Sequence, residues 1–146
     1  MTIKPVQQGK VSVFYKYGAE AVGGTVVCID VNNDDYVALY ESGGSTPYGL
    51  LAQDVVAEDY QEWKLDSITQ RARVSSNVGI YYGGGTYVLN SDSYTGNVLR
   101  GDNLYPNNAG VLGTSNAING KMSPVALAET SGNAGSGNSI RIKLLI

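Results

Sequence analysis

The chain has 146 residues, enough for one domain with its own core, and its 10 basic and 13 acidic residues give a formal net charge of −3. The basic residues are scattered singly, so the sequence itself shows no cluster of the kind on which nucleic-acid binding depends. No apolar run is long enough to span a bilayer, and we expect neither a nucleic-acid nor a membrane partner.

Side chains for catalysis are scarce. The chain has no histidine and a single cysteine, Cys28, which lies in the apolar run 25–29 and is predicted to be a buried small hydrophobe. A lone cysteine without histidine lacks the usual base for thiol catalysis and the usual partners for zinc. A hydrolase is also disfavoured because no nucleophile motif such as Gly-x-Ser-x-Gly occurs. We expect no enzymatic activity, no cofactor and no metal.

Glycine and tyrosine set the predicted fold class. The chain has 19 glycines and 11 tyrosines but only one phenylalanine and one tryptophan. Glycine supplies turns with positive φ, and tyrosine favours half-buried strand positions. The composition predicts an all-β protein, a compact barrel or sandwich of short antiparallel strands with long glycine-rich loops.

The N-terminal residues 1–10 are polar, contain a proline and show neither the helical nor the strand period. They predict an extended N-terminal arm, followed by a single β domain over residues 11–146. The domain begins with segment 11–17, whose twofold alternation predicts a strand with four residues on one side: Val11, Val13, Tyr15 and Tyr17.

A hairpin is predicted next. Runs 25–31 and 36–41 are rich in strand formers and flank the polar segment 32–35. The same region imitates a calcium loop, with acidic or amide residues at its positions one, three, five and twelve: Asp30, Asn32, Asp34 and Glu41. Position six needs glycine for its sharp turn and holds Asp35 instead, so the sequence favours a polar hairpin tip.

Three consecutive glycines at 83–85 predict a turn between strands 80–82 and 86–89. Tyrosines are frequent here and further along the chain. They suit either strand packing or a protein interface, since tyrosine gives large rigid contact area at low entropic cost. The cluster consists of Tyr81, Tyr82, Tyr87, Tyr94 and Tyr105.

The last third of the chain contains a series of short strand motifs. Gly-Asp-Asn-Leu-Tyr at 101–105 is a turn that leads into a strand, and Pro-Val-Ala-Leu-Ala-Glu at 124–129 is another strand. The closing run 140–146 alternates, with Arg141 and Lys143 on one face and four apolar residues on the other: Ile140, Ile142, Leu144 and Ile146.

In this order the motifs resemble the small head decoration, or capsid cement, proteins of tailed bacteriophages. The likeness covers about residues 49–146 and includes Gly-Leu-Leu-Ala-Gln-Asp-Val at 49–55 and Val-Gly-Ile-Tyr-Tyr-Gly-Gly-Gly at 78–85. The resemblance implies a virion protein made in the host cytoplasm. It would sit as a homotrimer on the outside of an expanded capsid, with the major capsid protein as its partner at threefold or quasi-threefold junctions.

Residues 1–48 show no match to the family, so its capsid contacts are not transferred to them. We expect the arm to lie along the capsid or a neighbouring subunit, with three tyrosines as further contacts. The predicted interface is Thr2, Ile3, Lys4, Pro5, Val6, Tyr81, Tyr82 and Tyr105. The alternative is a phage tail or surface adhesin module that binds a glycan or another virion protein; a minor capsid protein is a near neighbour of these functions.

Overall fold

A computed structural model describes residues 3–40, 46–56, 71–116 and 122–146. Within them the protein has strands and one 3₁₀ turn (Ala134–Ser136) but no α-helix, which confirms the all-β prediction, and no helix that could cross a membrane is found there. The strands are β1 (Ile3–Ser12), β2 (Lys16–Tyr17), β3 (Val26–Ile29), β4 (Tyr36–Leu39), β5 (Gly49–Leu51), β6 (Val55–Val56), β7 (Ala72–Arg73), β8 (Ile80–Leu89), β9 (Asn97–Val98), β10 (Asn103–Pro106), β11 (Leu112–Gly113), β12 (Ala126–Ala128), β13 (Gly132–Asn133) and β14 (Ile140–Leu144).

The main sheet has ten strands in the order β11-β10-β12-β14-β8-β5-β3-β4-β2, with β1 paired to β8. Most pairs are antiparallel, while β2–β4 and β6–β7 are parallel. Among the described strands the path ends at β11 and at β2, which do not pair with each other, so the sheet is open. Of the two predicted architectures the barrel is therefore wrong, and the folded sheet agrees with a sandwich.

Strand β8 joins the two halves of the sheet. On one edge it pairs with β1 along its whole length, from Ile80 opposite Ser12 to Leu89 opposite Ile3. Its other edge is shared, because β5 pairs with the first residues of β8 and β14 pairs with the last four. Each half of the sheet thus depends on β8 for its position relative to the other.

The glycine triplet of β8 bends the strand without reversing it. Gly83, Gly84 and Gly85 have φ angles of 69°, 82° and 103°, yet β8 pairs with β1 on both sides of them. A Cβ on Gly85 would lie 2.6 Å from the backbone nitrogen of Gly9. The predicted turn at 83–85 is wrong, because the glycines accommodate the register shifts of β1 and its close approach.

The N-terminal residues are extended as predicted, but they form a strand of the sheet. Their period is broken by two register shifts, between Pro5 and Gln7 and between Gln8 and Lys10. These irregularities hide the strand in the sequence, because backbone pairing needs no side-chain alternation. Ile3 at the start of β1 is buried in the core.

The single strand predicted over 11–17 is divided in two. β1 ends at Ser12, and β2 contains only Lys16 and Tyr17. Tyr17 is buried whereas Val13 is exposed, so the two do not share a face. The break at Val13 is what carries the following aromatic residue to the surface.

The centre of the sheet is buried on both faces because neighbouring residues face opposite cores. Val26, Leu50 and Tyr81 lie side by side on β3, β5 and β8 and belong to the larger core. The next residues on the same strands, Val27, Leu51 and Ile80, belong to the second core. Such unbroken apolar runs are typical of strands covered on both faces.

Three further predictions are confirmed. β3 and β4 form the predicted antiparallel hairpin, with residues 30–35 connecting them where the prediction had 32–35. Cys28 is a buried free thiol on β3. The closing strand β14 buries Ile140, Ile142 and Leu144 and exposes Arg141 and Lys143, with β12 and β8 as its neighbours.

Candidate functional site

The segment that follows β1 presents apolar side chains to solvent on a fixed backbone. Val13 is 67% exposed and Phe14, the only phenylalanine of the chain, is 62% exposed. The backbone beside them is held, since the N–H of Val78 donates to the carbonyl of Tyr15 at 2.9 Å and the N–H of Lys16 donates to the carbonyl of Asp35 at 2.9 Å. An exposed aromatic ring on an anchored backbone is a preformed contact point.

Phe14 is the outer end of a row of four aromatic rings. Its ring centroid lies 5.3 Å from that of Tyr15, which lies 5.5 Å from Tyr48, which in turn lies 5.6 Å from Tyr82. All three separations fall within the range of favourable aromatic pairs. Three distant segments of the chain meet here: the residues after β1, the residue before β5, and β8. We call Phe14, Tyr15, Tyr48 and Tyr82 the aromatic row.

The phenol of Tyr48 in the middle of the row is kept neutral. Burial raises the pKa of Tyr48, and the neighbouring Tyr15 raises it further, while a hydrogen bond with Ser12 acts in the opposite direction. Because the ordinary pKa of tyrosine is already about 10, this phenol carries no charge at neutral pH. The row is thus suited to an apolar or hydrogen-bonding partner rather than to an ionic one.

Strand β1 has one free edge beside the row, since within the described residues it pairs only with β8. Lys4 and Lys10 are exposed on it, Pro5 lacks a backbone N–H, and two register shifts distort it. Lysine, proline and bulges are the features by which proteins protect an edge strand from further pairing. We therefore take the aromatic row, rather than this edge, as the candidate contact site.

The predicted arm residues do not form one surface. Ile3 is buried in the core, Pro5 is half-buried, and Lys4 and Val6 are exposed on β1. Thr2 lies outside the described residues. Of the predicted arm contacts that the structure describes, Lys4 and Val6 thus present a largely exposed side chain to a partner.

The three predicted tyrosines lie in different places. Tyr82 is part of the aromatic row. Tyr81 is only 7% exposed and packs in the core against Tyr87, with ring centroids 4.5 Å apart. Tyr105 is half-buried on β10, in the other half of the sheet. The structure does not bring the three together.

Sequence reasoning missed Phe14 and Tyr48 and placed Tyr15 on one side of a strand with Val11, Val13 and Tyr17. The sequence did contain a signal for Phe14. This lone phenylalanine, next to Val13, could pack in the core only if the strand that contains Val13 continued past it. Nothing in the sequence places Tyr48 beside Tyr15, because their contact depends on the pairing of β5 with β8. The row is a product of the tertiary fold.

The polar hairpin tip uses its first carboxylate to close the turn. Asp30 accepts hydrogen bonds from the backbone N–H of Asn32 at 2.9 Å and from the side-chain amide of Asn33 at 3.0 Å. These two bonds, that of Asn33 first, lower the pKa of Asp30. Among the described residues no group of three acidic, histidine or cysteine side chains is placed to hold a metal ion, and Glu41 lies outside them.

No protein-family model matches the chain, and no curated protein matches it significantly. The interpretation of the site therefore depends on its geometry and on the motifs of the sequence.

Proposed function

We propose that this chain is a structural virion protein that decorates and stabilises the outside of an expanded phage capsid as a homotrimer at threefold or quasi-threefold positions. The observation that carries the proposal is the aromatic row, four rings in contact at the surface of an all-β domain. The order of the motifs over residues 49–146 supplies the phage context.

Such a function works by thermodynamic linkage between binding and the state of the shell. A protein that binds the expanded shell but not its precursor stabilises the expanded state by mass action. Three linked copies of one contact site add avidity without any new contact. The chain then needs a stable scaffold and an exposed anchor, and it needs no reactive group.

The rings are suited to act as anchors. Aromatic side chains bury large areas and lose few rotamers on binding, so they dominate many protein interfaces. Here the ring contacts fix Tyr15, Tyr48 and Tyr82 relative to one another before any partner arrives. The outermost ring, that of Phe14, has the most surface left to bury.

The test is sedimentation of the purified protein with empty heads of the parent phage, in expanded and unexpanded forms at matched concentrations. Saturable pelleting with expanded heads alone is expected. Pelleting with neither form would overturn the proposal and favour the tail or adhesin alternative, for which sugar-dependent quenching of tyrosine fluorescence is the next measurement.

The contact site is tested by Phe14→Ala in the same assay. We expect a loss of capsid affinity of about tenfold or more, the effect of removing an aromatic anchor from an interface. Leu99→Ala is the matched control, because Leu99 is 58% exposed, close to the 62% of Phe14, but lies outside the row. Equal losses for both variants would show that the row has no special role.

A further inference from the structure

The outer face of β14 is a basic surface. Arg141 and Lys143 are exposed on it, and Lys4 on β1 lies across β8, since Lys4 and Arg141 are both paired with Val88. Two strand spacings separate Lys4 from Arg141, about 10 Å. We call these three residues the basic face.

This face is largely unneutralised. Arg141 forms an ion pair with Glu129, at 3.1 Å between Nε and Oε1. Within the described part of the chain, Lys4 and Lys143 have no such partner. The half-buried Val88 lies between Lys4 and Arg141, and the half-buried Leu127 lies beside Lys143, on the same side of the sheet. A basic face with apolar side chains at its centre is suited to an acidic protein surface.

The same chain has an acidic cleft of about 590 Å³ at the other end of the sheet. The loop after β2 supplies Glu20, the hairpin tip supplies Asp30 and Asn33, and Tyr36 of β4 forms part of the wall. Two carboxylates beside an aromatic ring are the chemistry that accommodates an ammonium or guanidinium group. The hydrogen bonds from Asn32 and Asn33 hold Asp30 in place and lower its pKa.

The two surfaces cannot meet within one copy, because three strands lie between β14 and β4 in the sheet. We propose that copies of this chain associate head to tail, with the basic face of one copy seated on the acidic cleft of the next. Such a heterologous contact generates a closed ring of copies when the repeated rotation from one copy to the next returns to the first copy. The inference names the self-association surfaces of the proposed homotrimer, but it requires no capsid and is tested without one.

The test is sedimentation velocity of the purified full chain over a range of concentrations. Lys143→Glu and Glu20→Lys each place like charges in the contact and should weaken association by about tenfold or more. The double variant Glu20→Lys with Lys143→Glu restores opposite charges between copies and should regain association. This rescue also excludes misfolding as the cause of the single losses.

Control reversals lie outside the two surfaces. Asp92→Lys and Lys10→Glu change the net charge by the same amounts, and their side chains are exposed. Both should leave association unchanged. A monomer at all concentrations, equal effects of test and control reversals, or no recovery in the double variant would overturn the inference. If the protein pellets with capsids but does not associate head to tail, this inference fails while the proposed function stands.

Discussion

Two aromatic regions meet at consecutive residues of β8 and serve opposite purposes. Tyr81 and Tyr87 pack in the core, at 7% and 0% exposure, with ring centroids 4.5 Å apart. The aromatic row is joined by similar ring contacts, yet its outer end at Phe14 is 62% exposed. Since the side chains of a strand alternate, one step from Tyr81 to Tyr82 decides between stabilising the fold and presenting a surface.

Removing one ring from each region should give the largest difference in the free energy of unfolding. Tyr87→Ala deletes a fully buried side chain and should lower the free energy of unfolding by about 3–5 kcal/mol. Tyr82→Ala removes a half-buried ring with one aromatic contact and should cost about 1 kcal/mol. Urea unfolding followed by far-ultraviolet circular dichroism measures both. Equal losses would show that the row is structural rather than a contact surface.

The glycine bend gives a second test of how the core region is held, because Tyr87 lies against β1 at this bend. Gly85→Ala would place a Cβ 2.6 Å from the nitrogen of Gly9 and 2.8 Å from the hydroxyl oxygen of Tyr87, at a φ of 103°. We expect a loss of about 3 kcal/mol in the free energy of unfolding from strain and clash together.

Gly101→Ala is the control for backbone strain alone. Gly101 has a φ of 92°, but nothing lies within 4 Å of the position of an added Cβ. The cost should be about 1 kcal/mol, that of the left-handed region for a residue with a side chain. Chemical unfolding of both variants measures the difference. Similar losses for Gly85→Ala and Gly101→Ala would mean that β1 yields easily at the bend.

The sequence predicts best where side-chain alternation and backbone pairing agree. β14 alternates strictly, and its buried and exposed residues were predicted correctly. In β1 the register shifts break the period, so a ten-residue strand resembled a polar arm. At 83–85 the glycines signalled positive φ correctly, but positive φ alone does not distinguish a bend from a reversal.

The candidate site was less predictable than the fold. Tyr82 was named in advance, while its partners Tyr48 and Phe14 were not. The row forms because Tyr48 precedes β5, which pairs with β8, and because β1 ends before Val13. Contacts between segments this far apart follow from strand pairing, which local patterns do not encode.

The smallest change is the loss of one hydroxyl from the core region. The N–H of Gly9 donates to the hydroxyl oxygen of Tyr87 at 3.1 Å, which ties β1 to β8 at its irregular stretch. Tyr87→Phe keeps the ring but leaves this half-buried N–H without its acceptor. We expect a loss of about 1 kcal/mol in the free energy of unfolding at pH 7.

Alkaline pH should reduce this difference between Tyr87→Phe and the unchanged protein. Burial raises the pKa of Tyr87 in the folded state, opposed by the Gly9 hydrogen bond. The stabilisation of the folded state by the protonated Tyr87 hydroxyl is therefore complete below the unfolded pKa of about 10. It is lost as pH rises toward the higher folded pKa. Phenylalanine does not titrate, and the other tyrosines are common to both proteins. Urea unfolding from pH 7 to 11 should thus show the gap narrowing above pH 10, and a constant gap would show that the Tyr87 phenol ionises equally well in both states.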